Sequence, residues 1–356
     1  MIMAQLKVGT SPMRKSLLSA SALVGVALLA NNAQAARATY IPLVPPPGAV
    51  STTVFGINDS NVVAGSFNDS GGVEHGFFGP LDGSNYTVFD VGSDTTGTEP
   101  RAIGNDGSIT GLAKASGFSF GEEFFRAPDG TTNIIQYGAR IFDGVAQGIN
   151  GKGVFVGDFL NREGVRTGYK GTDGRFLHRI KVPIDTIATN PRKMNNHGLV
   201  TGSYTDSSGV QHGFLKRHDS FQTFDYPDAV GVTVGEGLND KGVVSGLWTD
   251  SSGNRHGFSY DSDTQEYTLI DGGGDGSFFQ QVWGINNKGL IAVNTTSDGS
   301  TYISYIYCPH KAANCPQGGA KAREVEVHSI HAVAGMSSKT ARHLPPAKVK
   351  NIGNTP

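Results

Sequence analysis

The sequence predicts an all-β fold, a single six-bladed β-propeller of four-stranded blades whose ring is closed by the N-terminal strand. Three observations lead to this prediction. A motif recurs every 44 to 47 residues, each recurrence contains short strand-like segments between tight turns, and 50 of the 356 residues are glycine, about twice the usual ~7%. Repeats of this length made of strands are typical of propeller blades.

The repeats are defined by one position, the anchor, which opens a glycine turn inside a hydrophobic frame. A turn residue follows three positions later, and a second glycine follows seven positions later in all repeats except the last, where Val293 stands. The six anchors are Asn58, Gly104, Asn150, Asn195, Asn239 and Asn286. The turn residues are Asn61, Gly107, Gly153, Gly198, Gly242 and Gly289, and the second glycines are Gly65, Gly111, Gly157, Gly202 and Gly246.

Residues 1–35 are predicted to be a secretory signal peptide. Arg14 and Lys15 precede an apolar stretch over 16–30, and Ala33-Gln34-Ala35 offers a small-residue cleavage site. The apolar stretch is shorter than the ~20 residues that a membrane span needs. We therefore expect a secreted or periplasmic protein with no transmembrane segment in the mature chain. Whether translation starts at Met1 or Met13 stays open.

The fifth repeat shows the four predicted strands of one blade. They cover 237–239, 243–248, 255–260 and 267–270, and the turns over 240–242 and 250–253 carry Asp and Gly. These residue types suit tight hairpins, in which positive φ angles are needed. The last repeat offers only three strands, so we expect the mature N-terminus, 40–47, to supply its fourth strand and close the ring.

The propeller is predicted to span 36–310, and 311–356 is predicted to be a tail without regular structure. Cys308 and Cys315 are the two cysteines of the chain. In an exported protein they are expected to form a disulfide that closes a small loop. A metal site with His310 is the weaker alternative because it offers only three local ligands and lacks C-x-x-C spacing.

Three linked motifs recur in register: Gly-hydrophobic-Asn-Asp-x-Gly-x-Val-x-Gly, then His-Gly-Phe, then Phe-Asp-x-Pro. They are clearest around Asn239, at His212-Gly213-Phe214 and at 224–227. Over about 53–307 the chain resembles the bacterial extracellular repeats called the HAF family. The resemblance implies an exported bacterial protein with a propeller-like repeat fold, and it implies no established activity.

The candidate ligand-binding residues lie three positions before each anchor, where the repeats differ most. A mixture of aromatic, cationic, acidic and amide side chains around a channel mouth would suit a sugar or a small polar ligand. Ordinary packing between blades is the alternative that stays open. These residues are Phe55, Arg101, Gln147, Arg192, Glu236 and Trp283.

Other motifs favour structural roles. His75, His212 and His256 all follow their anchors by 17 residues, which indicates a repeated packing or hydrogen-bonding role. Ser119 lies in a G-x-S-x-G pattern but lacks the strand-turn-helix context of a nucleophile. The glycine-rich stretch 271–276 has two carboxylates but not the alternating oxygen ligands of a calcium loop, so we interpret it as a loop.

The functional prediction is an exported noncatalytic propeller that acts as a binding or scaffold module for glycans or extracellular partners. The alternative is a channel-centred hydrolase, lactonase-like or glycoside-cleaving, that uses Glu236, Glu99 and Asp271. A purely structural matrix protein is a third possibility. The 29 basic and 31 acidic residues nearly cancel, so nucleic acid is not expected as a partner. We predict no cofactor and no metal, and a monomer.

Overall fold

The computed structural model describes residues 36–92, 95–115, 121–135, 142–173, 175–184, 186–270, 279–309, 315, 323–327, 329–331 and 349–350. Twenty-seven strands, and no helix, occur within these ranges. The first repeat contains β2 (Ser51–Ile57), β3 (Val62–Asn68), β4 (Glu74–Pro80) and β5 (Thr87–Phe89). The second contains β6 (Thr95–Ile103), β7 (Ile109–Ala115), β8 (Glu122–Arg126) and β9 (Thr132–Ile134). The third contains β10 (Phe142–Ile149), β11 (Val154–Leu160), β12 (Arg166–Thr172) and β13 (Arg175–Ile180).

The remaining repeats follow the same plan. The fourth contains β14 (Ala188–Met194), β15 (Val200–Thr205), β16 (Gln211–Arg217) and β17 (Ser220–Phe224). The fifth contains β18 (Thr233–Leu238), β19 (Val243–Thr249), β20 (Arg255–Asp261) and β21 (Glu266–Ile270). The sixth contains β22 (Phe279–Ile285), β23 (Ile291–Thr296) and β24 (Tyr302–Pro309). The N-terminal strand is β1 (Ala36–Pro42), and the C-terminal strands are β25 (Arg323–Val327), β26 (Ser329–His331) and β27 (Val349–Lys350).

The strands form five hydrogen-bonded sheets, which confirms the predicted all-β propeller. Four sheets contain one repeat each, and the fifth contains both the first and the second repeat. The sequence predicts six separate blades, whereas the structure contains five separate sheets among the described residues. The two repeats are joined by a single parallel pair, Glu74 with Gly97. The approach is close, because a Cβ on Gly97 would lie 2.9 Å from the Glu74 carboxylate and 3.1 Å from the Glu74 Cβ.

The N-terminal strand completes the sheet of the last repeat, as predicted. β1 pairs antiparallel with β24, and Tyr40 lies opposite Tyr307. Both tyrosines are fully buried, and their rings meet edge to face at 5.3 Å. The sixth repeat alone supplies only three strands. Because β1 adds the fourth, the start of the propeller is tied to its end.

Each anchor Asn forms the turn between the first two strands of its repeat. The Asn195 Oδ1 accepts the backbone N–H groups of His197 and Leu199, both at 3.0 Å. Gly198 then takes a positive φ of 77°, which explains the glycine three positions after the anchor. The interpretation of the anchor as a turn former is confirmed.

The anchors also link neighbouring repeats, which the sequence did not predict. The Nδ2 of each buried anchor Asn donates to the backbone carbonyl oxygen of the next anchor, and Asn286 donates back to Asn58 at 3.0 Å. Gly104 has no side chain and cannot donate such a bond to Asn150. The other links are Asn58 to Gly104 at 3.1 Å, Asn150 to Asn195 at 3.2 Å, Asn195 to Asn239 at 3.0 Å, and Asn239 to Asn286 at 3.2 Å.

The predicted Cys308–Cys315 disulfide is present, with Cα atoms 5.9 Å apart. The prediction of a tail without regular structure is wrong for three short segments. β25 pairs with β1, β26 pairs with β21, and β27 pairs with β25. The edge strands β1 and β21 offer unpaired backbone groups that another segment can satisfy. Within the described ranges, the protein has no helix that is long and apolar enough to span a bilayer.

Candidate functional site

The six residues predicted as ligand-binding lie on β-bulges and meet at one cavity on the axis. The innermost strand of every repeat shifts register at this position, for example between Val54 and Gly56 and between Pro191 and Lys193. A bulge adds one residue to a strand and redirects its side chain. We call these residues the bulge ring. Its members, which all line the same cavity, are Phe55, Arg101, Gln147, Arg192, Glu236 and Trp283.

The residue after each bulge is small in five of the six repeats, because the inner strands approach each other closely. A Cβ on Gly148 would lie 2.2 Å from the Arg192 carbonyl oxygen, and one on Gly237 would lie 2.6 Å from that of Trp283. The exception is Lys193 in the fourth repeat. These positions are Gly56, Ala102, Gly148, Lys193, Gly237 and Gly284.

One side of the bulge ring is an aromatic and cationic cluster. The rings of Phe55 and Trp283 meet edge to face at 4.9 Å. The Arg101 guanidinium carbon lies 4.8 Å from the Phe55 ring centroid and 5.4 Å from that of Trp283. Arg101 also forms an ion pair with Glu99 at 2.5 Å. Cation–π attraction and the ion pair therefore hold this guanidinium in place.

The other side of the bulge ring holds a buried carboxylate. The Glu236 side chain is 4% exposed, and its Oε2 lies 3.5 Å from the Arg192 Nε. Burial raises the pKa of Glu236, although Arg192 and Arg101 act in the opposite direction. The free space between these side chains is about 10 Å³, which is room for about one water molecule. The six residues are thus brought together as predicted, but they fill the channel.

Two of the three carboxylates named for the alternative hydrolase, Glu99 and Glu236, are engaged in ion pairs. Glu99 contacts Arg101 and also Lys114, whose Nζ lies 3.2 Å from its Oε2. Glu236 faces Arg192, and a sugar ring does not fit into the small space beside it. Asp271, the glycine-rich stretch 271–276 and Ser119 all lie outside the described residues.

A second ring lies at one end of the channel and consists of the residues that directly follow the anchors. We call it the Asx ring. The Asn287 Nδ2 donates to the Asp59 Oδ2 at 2.7 Å and to the Asp240 Oδ2 at 2.8 Å. Asn196 donates to Asp240 at 2.8 Å, and Asn105 donates to Asp59 at 2.6 Å. The members are Asp59, Asn105, Gly151, Asn196, Asp240 and Asn287, and all line the cavity at this end.

Lys193 lies between the two rings and lines both cavities. Its Nζ donates to the Ile149 carbonyl oxygen at 2.6 Å. Burial lowers the pKa of Lys193 to about 8, although Asp59 and Asp240 act in the opposite direction. The ammonium group thus helps to fill the axis. Sequence reasoning missed this residue, and the signal that could have found it is a lysine where other repeats have Gly or Ala.

The recurrent histidines form separate clusters within their own repeats. The His212 Nδ1 lies 2.9 Å from the Asp225 Oδ2, its Nε2 lies 3.4 Å from the Asp206 Oδ2, and its ring stacks on Tyr204. His75 lies between Asp69 and Asp90 in the same way. Burial lowers the pKa of His75 and of His212, but the adjacent carboxylates outweigh it and leave both pKa values raised. Among the described residues, no group of three or more His, Cys, Asp or Glu is placed to hold a metal ion.

Comparison with known proteins finds no matching protein-family model and no similar curated protein. Solved structures with a similar fold include the lectin of Aleuria aurantia, described as a six-bladed β-propeller with fucose recognition. It is 10% identical, with a TM-score of 0.47, over 74% of this chain and 93% of that chain. AofleA from Arthrobotrys oligospora is 10% identical, with a TM-score of 0.47, over 84% and 94%. TolB from Acinetobacter baumannii is 12% identical, with a TM-score of 0.43, over 78% and 65%. These are likenesses of fold alone.

Proposed function

We propose that this protein is an exported, noncatalytic β-propeller that binds glycans or extracellular partners on its outer surface. The observation that carries the proposal is the filled axis. The bulge ring leaves about 10 Å³ of free space, whereas a small-molecule site usually has a volume of ~300–1,000 Å³. A rigid ring whose interior is occupied by its own side chains suits recognition at the surface better than turnover in the channel.

We also propose that the ring counts six blades. Each of the six repeats contributes one residue of its inner strand to the bulge ring and one residue of the following turn to the Asx ring. The sheet that contains two repeats is joined by only one residue pair. Two four-stranded blades that touch at one point account for this sheet.

Export is part of the proposal and is supported by two features. The first is the predicted leader over 1–35, and the second is the Cys308–Cys315 disulfide, since disulfides persist mainly in oxidising compartments. Membership of the HAF-repeat family would agree with export, and the three linked motifs of the repeats support that membership.

The proposal is tested by measuring binding and turnover on one preparation of the mature protein, residues 36–356. We expect glycan-array binding, and no release of product from glycoside or lactone substrates. Product release that is lost in Glu236→Gln, but kept in the matched exposed variant Asp263→Asn, would establish the hydrolase instead. Absence of binding to glycans and to extracellular proteins would contradict the proposal.

Contact between the bulge ring and a ligand stays a prediction. A double variant distinguishes such contact from a role of the ring in stabilising the fold. Arg192→Met with Glu236→Leu removes both charges and leaves neither unpaired. We expect unchanged glycan affinity, because the filled cavity favours a stabilising role. A clear loss of affinity in a folded double variant would instead assign the ligand to the ring.

A further inference from the structure

A further cavity lies away from the axis, in a cleft between the third and fourth repeats. Its volume is about 430 Å³, which is within the usual range for a ligand site. One wall comes from the turn before β11 and from β12 and β13, and the other comes from the turn before β15 and the end of β16. The cleft begins beside the Asx ring, because Asn150 and Asn196 line both cavities.

Five cationic side chains surround this cleft, and none of its lining residues is acidic. We call it the basic cleft. Among the described residues, none of the five forms an ion pair with a carboxylate. The cations are Lys152, Lys170, Arg179, Lys181 and Lys216.

Neutral groups hold three of the cations in place. The Lys152 Nζ donates to the Asn196 carbonyl oxygen at 2.9 Å. The Lys216 Nζ donates to the His218 carbonyl oxygen at 2.6 Å. The Arg179 guanidinium carbon lies 5.7 Å from the Phe159 ring centroid. These contacts position the cations without neutralising them. Their positive charge therefore remains available to attract an anionic ligand into the cleft.

The positive charge of the basic cleft is not common to all repeats. Strand register places Lys170 opposite Val156, and the equivalent positions in other repeats hold Phe78, Leu215 and Ser259. Arg179 corresponds to Val88, Thr223 and Leu269 in the same way. Two of the five cations therefore replace neutral or apolar residues, in a chain whose formal net charge is −2.

The rest of the lining indicates a sugar rather than a nucleic acid. Val154 and the largely buried Ile180, Met194 and Val200 form an apolar floor between the cations, which suits the C–H face of a sugar ring. Among its described lining residues, the only aromatic rings are the imidazoles of His197 and His218, and none is Phe, Tyr or Trp, whereas proteins that bind single-stranded nucleic acid stack bases on aromatic rings. We propose that the basic cleft binds an anionic oligosaccharide that carries uronate carboxylates or sulfate esters. This inference rests on the proposed glycan-binding function and names its ligand class.

The test is calorimetric titration of the mature protein, residues 36–356, with digalacturonate. We expect Lys170→Gln with Lys181→Gln to weaken binding on the order of tenfold for each cation removed, because hydrogen bonds to charged groups are the strong ones. The matched control, Arg162→Gln with Lys241→Gln, removes the same charge at exposed positions outside the cleft. It should bind like the wild type. Raising the salt concentration from 50 mM to 500 mM should weaken binding, because screening reduces the attraction.

Other outcomes and other ligands distinguish failure of the basic cleft from failure of the proposed function. Equal weakening in both double variants, or none in the cleft variant, would overturn the basic cleft while leaving a glycan-binding protein. Inorganic phosphate bound as tightly as digalacturonate would overturn the sugar assignment, and so would tighter binding of a single-stranded oligonucleotide. Binding of a neutral disaccharide alone would overturn the anionic class. If no glycan binds at all, the inference falls, and the proposed function then depends on binding of extracellular proteins.

Discussion

The anchor Asn has two structural roles. Its side-chain oxygen forms the local turn, and its side-chain nitrogen reaches the next repeat. At Asn195 the nitrogen donates to the Asn239 carbonyl oxygen at 3.0 Å, and the residue is 4% exposed. A buried carbonyl oxygen that loses its donor costs about 1–3 kcal/mol. The anchor thus contributes to the ring as well as to its own hairpin.

This dual role predicts the cost of removing an anchor. Asn195→Ala should lower the free energy of unfolding by about 2–3 kcal/mol, since it deletes two turn hydrogen bonds and one link between repeats. Asn161→Ala is the matched control, because Asn161 accepts the same two turn bonds, from Glu163 and Val165, and no link between repeats is recorded for it. Its cost should be about 1 kcal/mol. Equal losses in denaturant titrations would contradict the linking role.

The histidine clusters predict a pH dependence of stability. The pKa values of His75 and His212 are raised in the folded protein, so their stabilising effect is fully present below about pH 6. It is lost as the pH rises through the folded-state values. The melting temperature should therefore fall between pH 5.5 and pH 8. His212→Gln should flatten this dependence, whereas the exposed His178→Gln should leave it unchanged. A dependence that persists in His212→Gln with His75→Gln would exclude these clusters as its source.

The ion pair within the bulge ring makes a third prediction. Arg192→Met leaves the Glu236 carboxylate buried with only more distant cations to compensate its charge. This variant should lower the free energy of unfolding by about 3 kcal/mol. Adding Glu236→Gln should restore most of that loss, because the uncompensated charge is gone. The measurement is a double-variant cycle in denaturant. Additive effects of the two substitutions would show that the residues do not interact.

At the scale of the strand, the repeated bulge is the element that shapes the axis. It turns one side chain of each inner strand toward the channel, and the small residue after it lets the neighbouring strand approach. Gly237→Ala would place a Cβ 2.3 Å from the Ser245 Oγ and 2.6 Å from the Trp283 carbonyl oxygen. It should destabilise the protein by about 3 kcal/mol. Gly71→Ala, whose nearest neighbour is a side-chain oxygen of Asp69 at 3.2 Å, should cost much less. A similar cost at both positions would contradict close packing at the bulge.

The elements were largely predictable from sequence, because the hairpin signals repeat in register. Asp-Lys-Gly at 240–242 and the alternation along 243–248 predict the turn and strand that the structure contains. The candidate ring was also predictable, because Phe55, Arg101 and Trp283 stand out at a position framed by uniform residues. That they fill the channel was not predictable, since it depends on the cation–π and ion-pair geometry between separate repeats. The basic cleft was missed because Lys152, Lys181 and Lys216 are far apart in sequence and come together only when the third and fourth repeats pack.

At the scale of the whole molecule, the ring is closed in two independent ways. β1 completes the sheet of the last repeat, and the Asn286 side chain donates to the first anchor at 3.0 Å. Closure ties the first and last repeats together and leaves a rigid support for surface sites. The axis is occupied by the protein's own side chains, whereas the basic cleft is open. This distribution of space and charge favours the proposed recognition at the rim over chemistry in the channel.

The most direct test of that claim is a crystal structure of the mature protein, residues 36–356, with digalacturonate. The account predicts intact sugar in the basic cleft, with its carboxylates within ~3 Å of cations such as Lys170 or Arg179, and no sugar on the axis. Sugar bound on the axis beside Glu236, or cleaved product there, would contradict it.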